Sequence, residues 1–158
     1  MENDHLNAIL NKAMDYCSRS EKCEFDVRKK LVDWHAEPAV VNDVINALYA
    51  DKFIDHDRYT RAYVNDAVKL KLWGRIKIRA NLKMKNIASS TISEALLNID
   101  ETEYLDKITY LIQSRHKAAI KDYDSKYKAV KSLYSRGYES ELVLKAIAVL
   151  QGQVDDDM

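Results

Sequence analysis

Apolar side chains recur at helical spacing from the first residues onward. Leu6, Leu10, Ala13, Met14 and Cys17 fall on one helix face. The polar run SRSEK ends that segment, and a second helix is predicted from Glu24 to Trp34, with Phe25, Val27, Leu31 and Trp34 turned to the core. Pro38 stands where a third helix would begin, because a first-turn residue needs no N–H partner. Val40, Val41, Val44, Ile45 and Leu48 form its stripe. One long helix is then predicted through FIDHDRYTRAYVNDAVKLKLW, with Tyr59, Ala62, Tyr63, Ala67 and Leu70 at helical spacing, Asp55 or Asp57 as N-cap, and Gly74 as its break. Ser89 or Ser90 would cap a helix presenting Ile92, Leu96 and Ile99. Three more helices are expected: Glu101 to Ala119 on Leu105, Ile108, Leu111 and Ile112; Asp124 to Arg136, stopping at Gly137; and one capped by Ser140. The last turns Leu142, Val143, Ala146, Ile147 and Leu150 inward.

One segment resists this reading. RIKIRANL alternates apolar and charged residues, the pattern of a half-buried strand. An internal repeat decides the matter. The chain aligns with itself at an offset of about 51 residues. Leu31, Leu82 and Leu133 correspond, as do Val41, Ile92 and Val143; Ile45, Leu96 and Ile147; and Leu48, Ile99 and Leu150. Pro38, Ser89 and Ser140 fall together at helix starts. The strand-like segment therefore occupies the slot of DVRKKLVDW and YKAVKSLY, which show no alternation, and all three are read as helices. The fold expected is all-α: three tandem three-helix repeats over residues 1–54, 55–100 and 101–152, then an acidic, disordered tail over 153–158 containing Asp155, Asp156 and Asp157. Units of this size bury little surface alone, so they should stack into an elongated, curved molecule.

Composition agrees and narrows the function. Hydrophobic residues make up 47% and charged residues 32%, a folded composition, while Gly 3 and Pro 1 are too few for a sheet protein rich in tight turns. MENDHLNAILNK lacks the apolar core of a signal peptide, and no later run approaches membrane-spanning length, so a cytoplasmic protein is expected. Cys17 and Cys23 form no CxxC pair and read as small core residues in a reducing compartment. His5, His35, His56 and His116 are scattered without metal-ligand spacing. No Gly-rich phosphate loop and no nucleophile–base pattern can be read, so neither a cofactor nor an enzymatic activity is expected.

Charge is the informative feature. Formal net charge is +0, yet KLKLWGRIKIRANLKMK carries Lys69, Lys71, Arg75, Lys77, Arg79, Lys83 and Lys85, and no acid occurs from Ala67 to Ser93. Lysines and arginines on a helix are ordinarily just solvated, but a solvated face usually mixes signs, because i, i+4 pairs of opposite charge stabilise helices and like pairs do not. This concentration therefore suggests a polyanionic or acidic partner. Arg75, Arg79 and Lys83 share one helix face, flanked by Lys77 and Lys85, with Trp73 at the corner. A second cluster, Arg115, Lys117, Lys121, Lys126, Lys128, Lys131 and Arg136, is interleaved with Tyr123, Tyr127 and Tyr134 and interrupted by Asp122 and Asp124. Such aromatics can stack bases, but Tyr127 and Tyr134 recur at helical spacing, which reads better as core or boundary packing.

The ordered motifs resemble the RecX family of bacterial regulators of the RecA recombinase. Ile54, Asp55, Arg58, Tyr59, Tyr63 and Val64 match the opening of that family's middle repeat, and Gly74, Ile78, Leu82, Lys85 and Ile87 its continuation. Leu133, Arg136, Gly137 and Tyr138 resemble the third-repeat motif, and Arg19 and Leu31 fit the first. Asn86 stands where a Gly follows the lysine, and Trp34–His35 holds that place in the first repeat; an Asn can adopt the left-handed conformation a Gly supplies. The resemblance implies three tandem three-helix repeats and a non-enzymatic protein of DNA repair and the SOS response. It implies binding along the groove of the RecA filament on single-stranded DNA, which limits recombinase, ATPase and co-protease activities. The alternative is a helical protein that binds single- or double-stranded DNA directly through the same basic face. A monomer meets every feature of the sequence.

Overall fold

The computed structural model describes residues 2–156, and among them every element is helical. Three helices, α1 (Glu2–Arg19), α2 (Glu24–Asp33) and α3 (Pro38–Ala50), pack on one another. Next come α4 (His56–Asp66), α5 (Arg75–Met84) and α6 (Ser89–Leu97). The last three are α7 (Glu101–Arg115), α8 (Tyr123–Ser135) and α9 (Ser140–Asp156). The repeat is kept to the residue. Helices α2, α5 and α8 end at Asp33, Met84 and Ser135, and α3, α6 and α9 start at Pro38, Ser89 and Ser140, in the alignment drawn from the sequence. Between them, His35 (φ 57°), Asn86 (φ 63°) and Gly137 (φ 95°) occupy equivalent left-handed positions. RIKIRANL is helical, with Ile78 and Leu82 fully buried one turn apart and Ile76 on the outside.

Several local expectations are corrected. The fourth helix does not run uniformly to Trp73. It widens into a π-helical turn over Ala67–Lys71 and stops at Leu72, which is left-handed (φ 56°). Gly74 is the extended residue before α5 (φ −88°, ψ 169°), so the helix ends without using its flexibility. Asp55, not Asp57, caps α4, accepting from the Arg58 N–H at 3.0 Å. Ala88 precedes α6, leaving Ser89 and Ser90 inside its first turn, and Ser140 likewise lies inside α9. Helix α7 ends at Arg115, and a 3₁₀ turn over Lys117–Ile120 replaces its last stretch. Phe25 and Leu105 are exposed, whereas Ile9 and Tyr104 are buried. Helix α9 continues through Asp156, so the described part of the acidic tail is helical, while Asp157 lies outside the described residues.

The buried side chains form two cores rather than three. One contains Ile9, Ala13, Val27, Leu31, Val44, Ile45 and Leu48 of the first three helices. The other runs without a break from Tyr59 and Val64 through Ile78 and Leu82 to Ile108, Leu133 and Ile147. The accessible surface, 9910 Å², is about a fifth above the roughly 8,100 Å² of a compact protein of this mass, as expected for units joined end to end.

The two joints use equivalent positions differently. Between the second and third units, backbone meets backbone. The Gly74 N–H donates to the Arg136 carbonyl at 2.8 Å and the Ile76 N–H to the Gly137 carbonyl at 3.0 Å. A Cβ on Gly74 would lie 2.3 Å from the Gly137 carbonyl carbon, so this approach requires glycine. The Arg136 guanidinium reaches back to the Lys71 and Leu72 carbonyls, both at 3.3 Å, closing the end of the π turn. Between the first and second units, Lys85, the repeat equivalent of Arg136, reaches back instead to Asp26 at 2.9 Å. Cys23, the equivalent of Gly74, plugs into the second core, and its N–H and thiol face Asp26 at 3.3 and 3.2 Å. Arg58 paired with Glu21 at 2.7 Å completes this polar joint.

Candidate functional site

Helix α5 and the corner before it carry the basic stretch to the middle of the molecule. The acids absent from the local sequence arrive from elsewhere. Arg75 pairs with Glu139, the residue before α9, at 2.8 Å, and with Glu101 at the start of the third unit. Its guanidinium lies over the Tyr104 ring, 3.9 Å from the centroid. The Arg75 N–H donates to the Tyr104 hydroxyl at 3.0 Å, and that hydroxyl donates to Glu139. Burial alone would disfavour the arginine's charge, but its bonds to Glu139 and Glu101 outweigh that and its pKa rises. Burial, and then the bond to Glu139, push the Tyr104 hydroxyl up, so it remains a proton donor.

Lys85 is neutralised similarly. It also touches the Tyr59 hydroxyl at 3.0 Å. Burial works against both charges of its pair with Asp26, yet the pair prevails: the carboxyl is held below its ordinary value and the ammonium above it. Lys69 lies 3.9 Å from Glu103, a looser pair. Arg75, Lys85 and Lys69 are thus parts of the frame. This corrects the picture of seven uncompensated cations.

Four cations of the stretch form no ion pair among the described residues: Lys71, Lys77, Arg79 and Lys83. Two of them cover Trp73. The Lys71 and Lys77 ammoniums sit 4.6 and 4.5 Å from its ring centroid, so the indole, expected as a contact residue, is a platform for its own neighbours. Arg79 donates to Ser93 Oγ at 3.2 Å, and Lys83 projects into solvent. Arg75, Arg79 and Lys83 do share one side of α5, where with Ile76, Ala80 and Glu139, the acid already paired with Arg75, they line a shallow groove of about 300 Å³. Ile76 and Met84, both exposed and unnoticed in the sequence reading, add apolar surface beside the cations. The arrangement is an anchored arginine, two free cations and exposed apolar side chains. It suits a convex acidic or phosphate-bearing surface.

The third-unit cluster behaves differently from expectation. Arg136 belongs to the joint, and Arg115, Lys117, Lys121, Lys128 and Lys131 are exposed. Tyr127 and Tyr134, read as core or boundary packing, are exposed by 63% and 56%, and Tyr123 by 80%, so none of the three belongs to the core. Among the described residues no three His, Cys, Asp or Glu side chains come together as metal ligands, and no helix is long and apolar enough to cross a membrane.

Comparison with known proteins bears on this arrangement. Residues 10–48 match the family model described as the RecX first three-helix domain, and residues 55–96 the one described as the RecX second three-helix domain. A Clostridium botulinum protein named regulatory protein RecX is 30% identical over 156 residues, covering 90% of this chain and 73% of the relative. The regulatory protein RecX of Clostridium tetani is 29% identical over 141 residues; 87% of this chain aligns but only 64% of that relative's length, under two thirds. The crystal structure of RecX from Lactobacillus salivarius superposes with a TM-score of 0.80 at 21% identity, covering 94% of this chain and 97% of that one, and so shares the fold.

Proposed function

We propose that this chain, which belongs to the RecX family, is a regulator without catalytic activity that binds the RecA recombinase filament on single-stranded DNA and restrains its recombinase, ATPase and co-protease activities. The relatives are named regulatory proteins. The observation that carries the contact is the α5 face. Arg79 and Lys83 stand free beside a groove whose floor is tied down by Arg75, at the middle of an extended chain. A filament on single-stranded DNA offers a repeating surface that includes phosphates, and an extended helical repeat presents a long surface to follow it. In this reading the protein acts in the cytoplasm as a monomer.

Co-sedimentation at two salt concentrations tests it. Binding to RecA–DNA filaments should persist at a salt concentration that removes the chain from bare DNA, because phosphate contacts alone weaken steeply with salt. Equal binding to bare and RecA-coated DNA would instead favour a protein acting on nucleic acid directly through the same face.

A further inference from the structure

The outer side of α8 carries a row of three tyrosines. Tyr123, Tyr127 and Tyr134 are spaced four and seven residues apart, which places them within about 40° of one another around the helix. All three are largely exposed. The buried side chains of α8, Ala129 and Leu133, lie about 140° and 100° around the helix from the centre of the row, and the half-buried Val130 packs on the core beside its Tyr123 edge. The tyrosine row runs about 16 Å along the helix axis. Lys126 flanks it on one edge and Lys131 on the other, and neither forms an ion pair among the described residues. Of the acids nearby, Asp122 is engaged at the helix start, accepting from the Ser125 N–H at 2.9 Å and from its hydroxyl at 2.6 Å, and Asp124, exposed in the first turn, places one negative charge on the Lys131 side of the row.

We infer that this face is a stacking platform for single-stranded nucleic acid, separate from the α5 groove. Three flat aromatic faces in a row accept successive unpaired bases without regard to sequence. Lysines along both edges match the phosphates of a strand lying over the row. The charge pattern argues against a protein partner, because the buried centre of a protein interface is depleted of lysine, and here lysines border the aromatics closely. Duplex DNA fits poorly, since its bases present no free face to a tyrosine. This inference stands apart from the filament reading, as it needs no recombinase.

The test uses the full chain and a fluorescein-labelled oligothymidylate of about 20 nucleotides, followed by anisotropy. A strand of the same length carrying abasic sites throughout supplies the phosphates without the bases. The wild type should bind the thymidylate at least tenfold more tightly than the abasic strand. Replacing Tyr127 and Tyr134 together by Ala should abolish that preference, and replacing both by Phe should keep it. Circular dichroism verifies that each variant is folded, which the exposure of both side chains favours. Equal affinity for the two strands would overturn the proposal, as would an Ala variant that keeps the preference. An Ala variant that loses RecA-filament binding while the wild type ignores bare strands would identify the row as a protein surface, and that too would overturn it. The filament reading is judged separately, by inhibition of RecA ATPase with the Arg79→Ala/Lys83→Ala variant, which leaves the tyrosine row intact.

Discussion

Replacing Gly74 by Ala should strongly destabilise this protein. An added Cβ would meet the Gly137 carbonyl carbon and oxygen at 2.3 Å each and the Tyr138 nitrogen at 2.4 Å. All three are backbone atoms, so no side chain can rotate away. Restoring ordinary contact requires the start of α5 to retreat by about 1 Å from the third unit. That displacement breaks the Gly74-to-Arg136 and Ile76-to-Gly137 hydrogen bonds, now 2.8 and 3.0 Å. Each is worth about 1 kcal/mol net, and each buried donor left unpaired costs about 1–3 kcal/mol more. Partial relaxation reduces the sum, so a loss of about 3–5 kcal/mol is expected. Urea unfolding followed by circular dichroism measures it. Gly152→Ala is the internal control: its Cβ meets nothing within 4 Å, and it lies inside α9, where Ala is favoured over Gly by about 0.5–1 kcal/mol. If Gly74→Ala unfolds within about 0.5 kcal/mol of wild type, the backbone joint is not what holds the second and third units together.

Two further predictions separate frame from surface. Arg75→Ala should destabilise by about 2 kcal/mol, because it strands Glu139 beside Tyr104, whereas Arg79→Ala and Lys83→Ala should each stay within about 0.5 kcal/mol; comparable urea midpoints for all three would contradict the division of the basic stretch. Acid should loosen the joint between the first and second units. The folded-state pKa of Asp26 is depressed, so its contribution is present above the unfolded value of about 3.9 and is lost as pH falls below it. Asp26→Asn should therefore be less stable than wild type at neutral pH, and the difference should shrink as pH falls through the depressed folded-state value. Parallel stability curves from neutral pH down to about pH 3 would show that another group governs the acid transition.

How far the sequence could be read depended on the range of the interactions. Helices recorded by apolar spacing were legible, and α5 became so only through its repeat partners, since Ile76 and Ile78 alone read as a strand although one is exposed and the other buried. The left-handed turn at Asn86 was legible through the family's Gly at that place, whereas the same conformation at the equivalent His35 and Gly137 emerges only in the fold. The π turn was not, because Leu72 carries none of the residue signals of a left-handed stop; Arg136, far along the chain, closes it. For the same reason the charge of the basic stretch was misjudged. Its neutralising acids, Asp26, Glu101 and Glu139, come from other units, and local sequence contains no trace of that pairing. Gly74 was read as a helix breaker when its task is to let two backbones meet. Tyr127 and Tyr134 carry helical spacing, which fixes a shared face but not whether that face turns inward.

The central claim, that the free cations of α5 meet the recombinase filament, is tested most directly by RecA ATPase on single-stranded DNA with the Arg79→Ala/Lys83→Ala double variant. Its urea midpoint should match wild type, because neither side chain holds the frame. The account predicts that this folded variant requires at least tenfold more protein for half-inhibition, as expected when two charge-assisted contacts of about 1 kcal/mol or more are removed. Inhibition at the wild-type concentration by the same folded protein would contradict it.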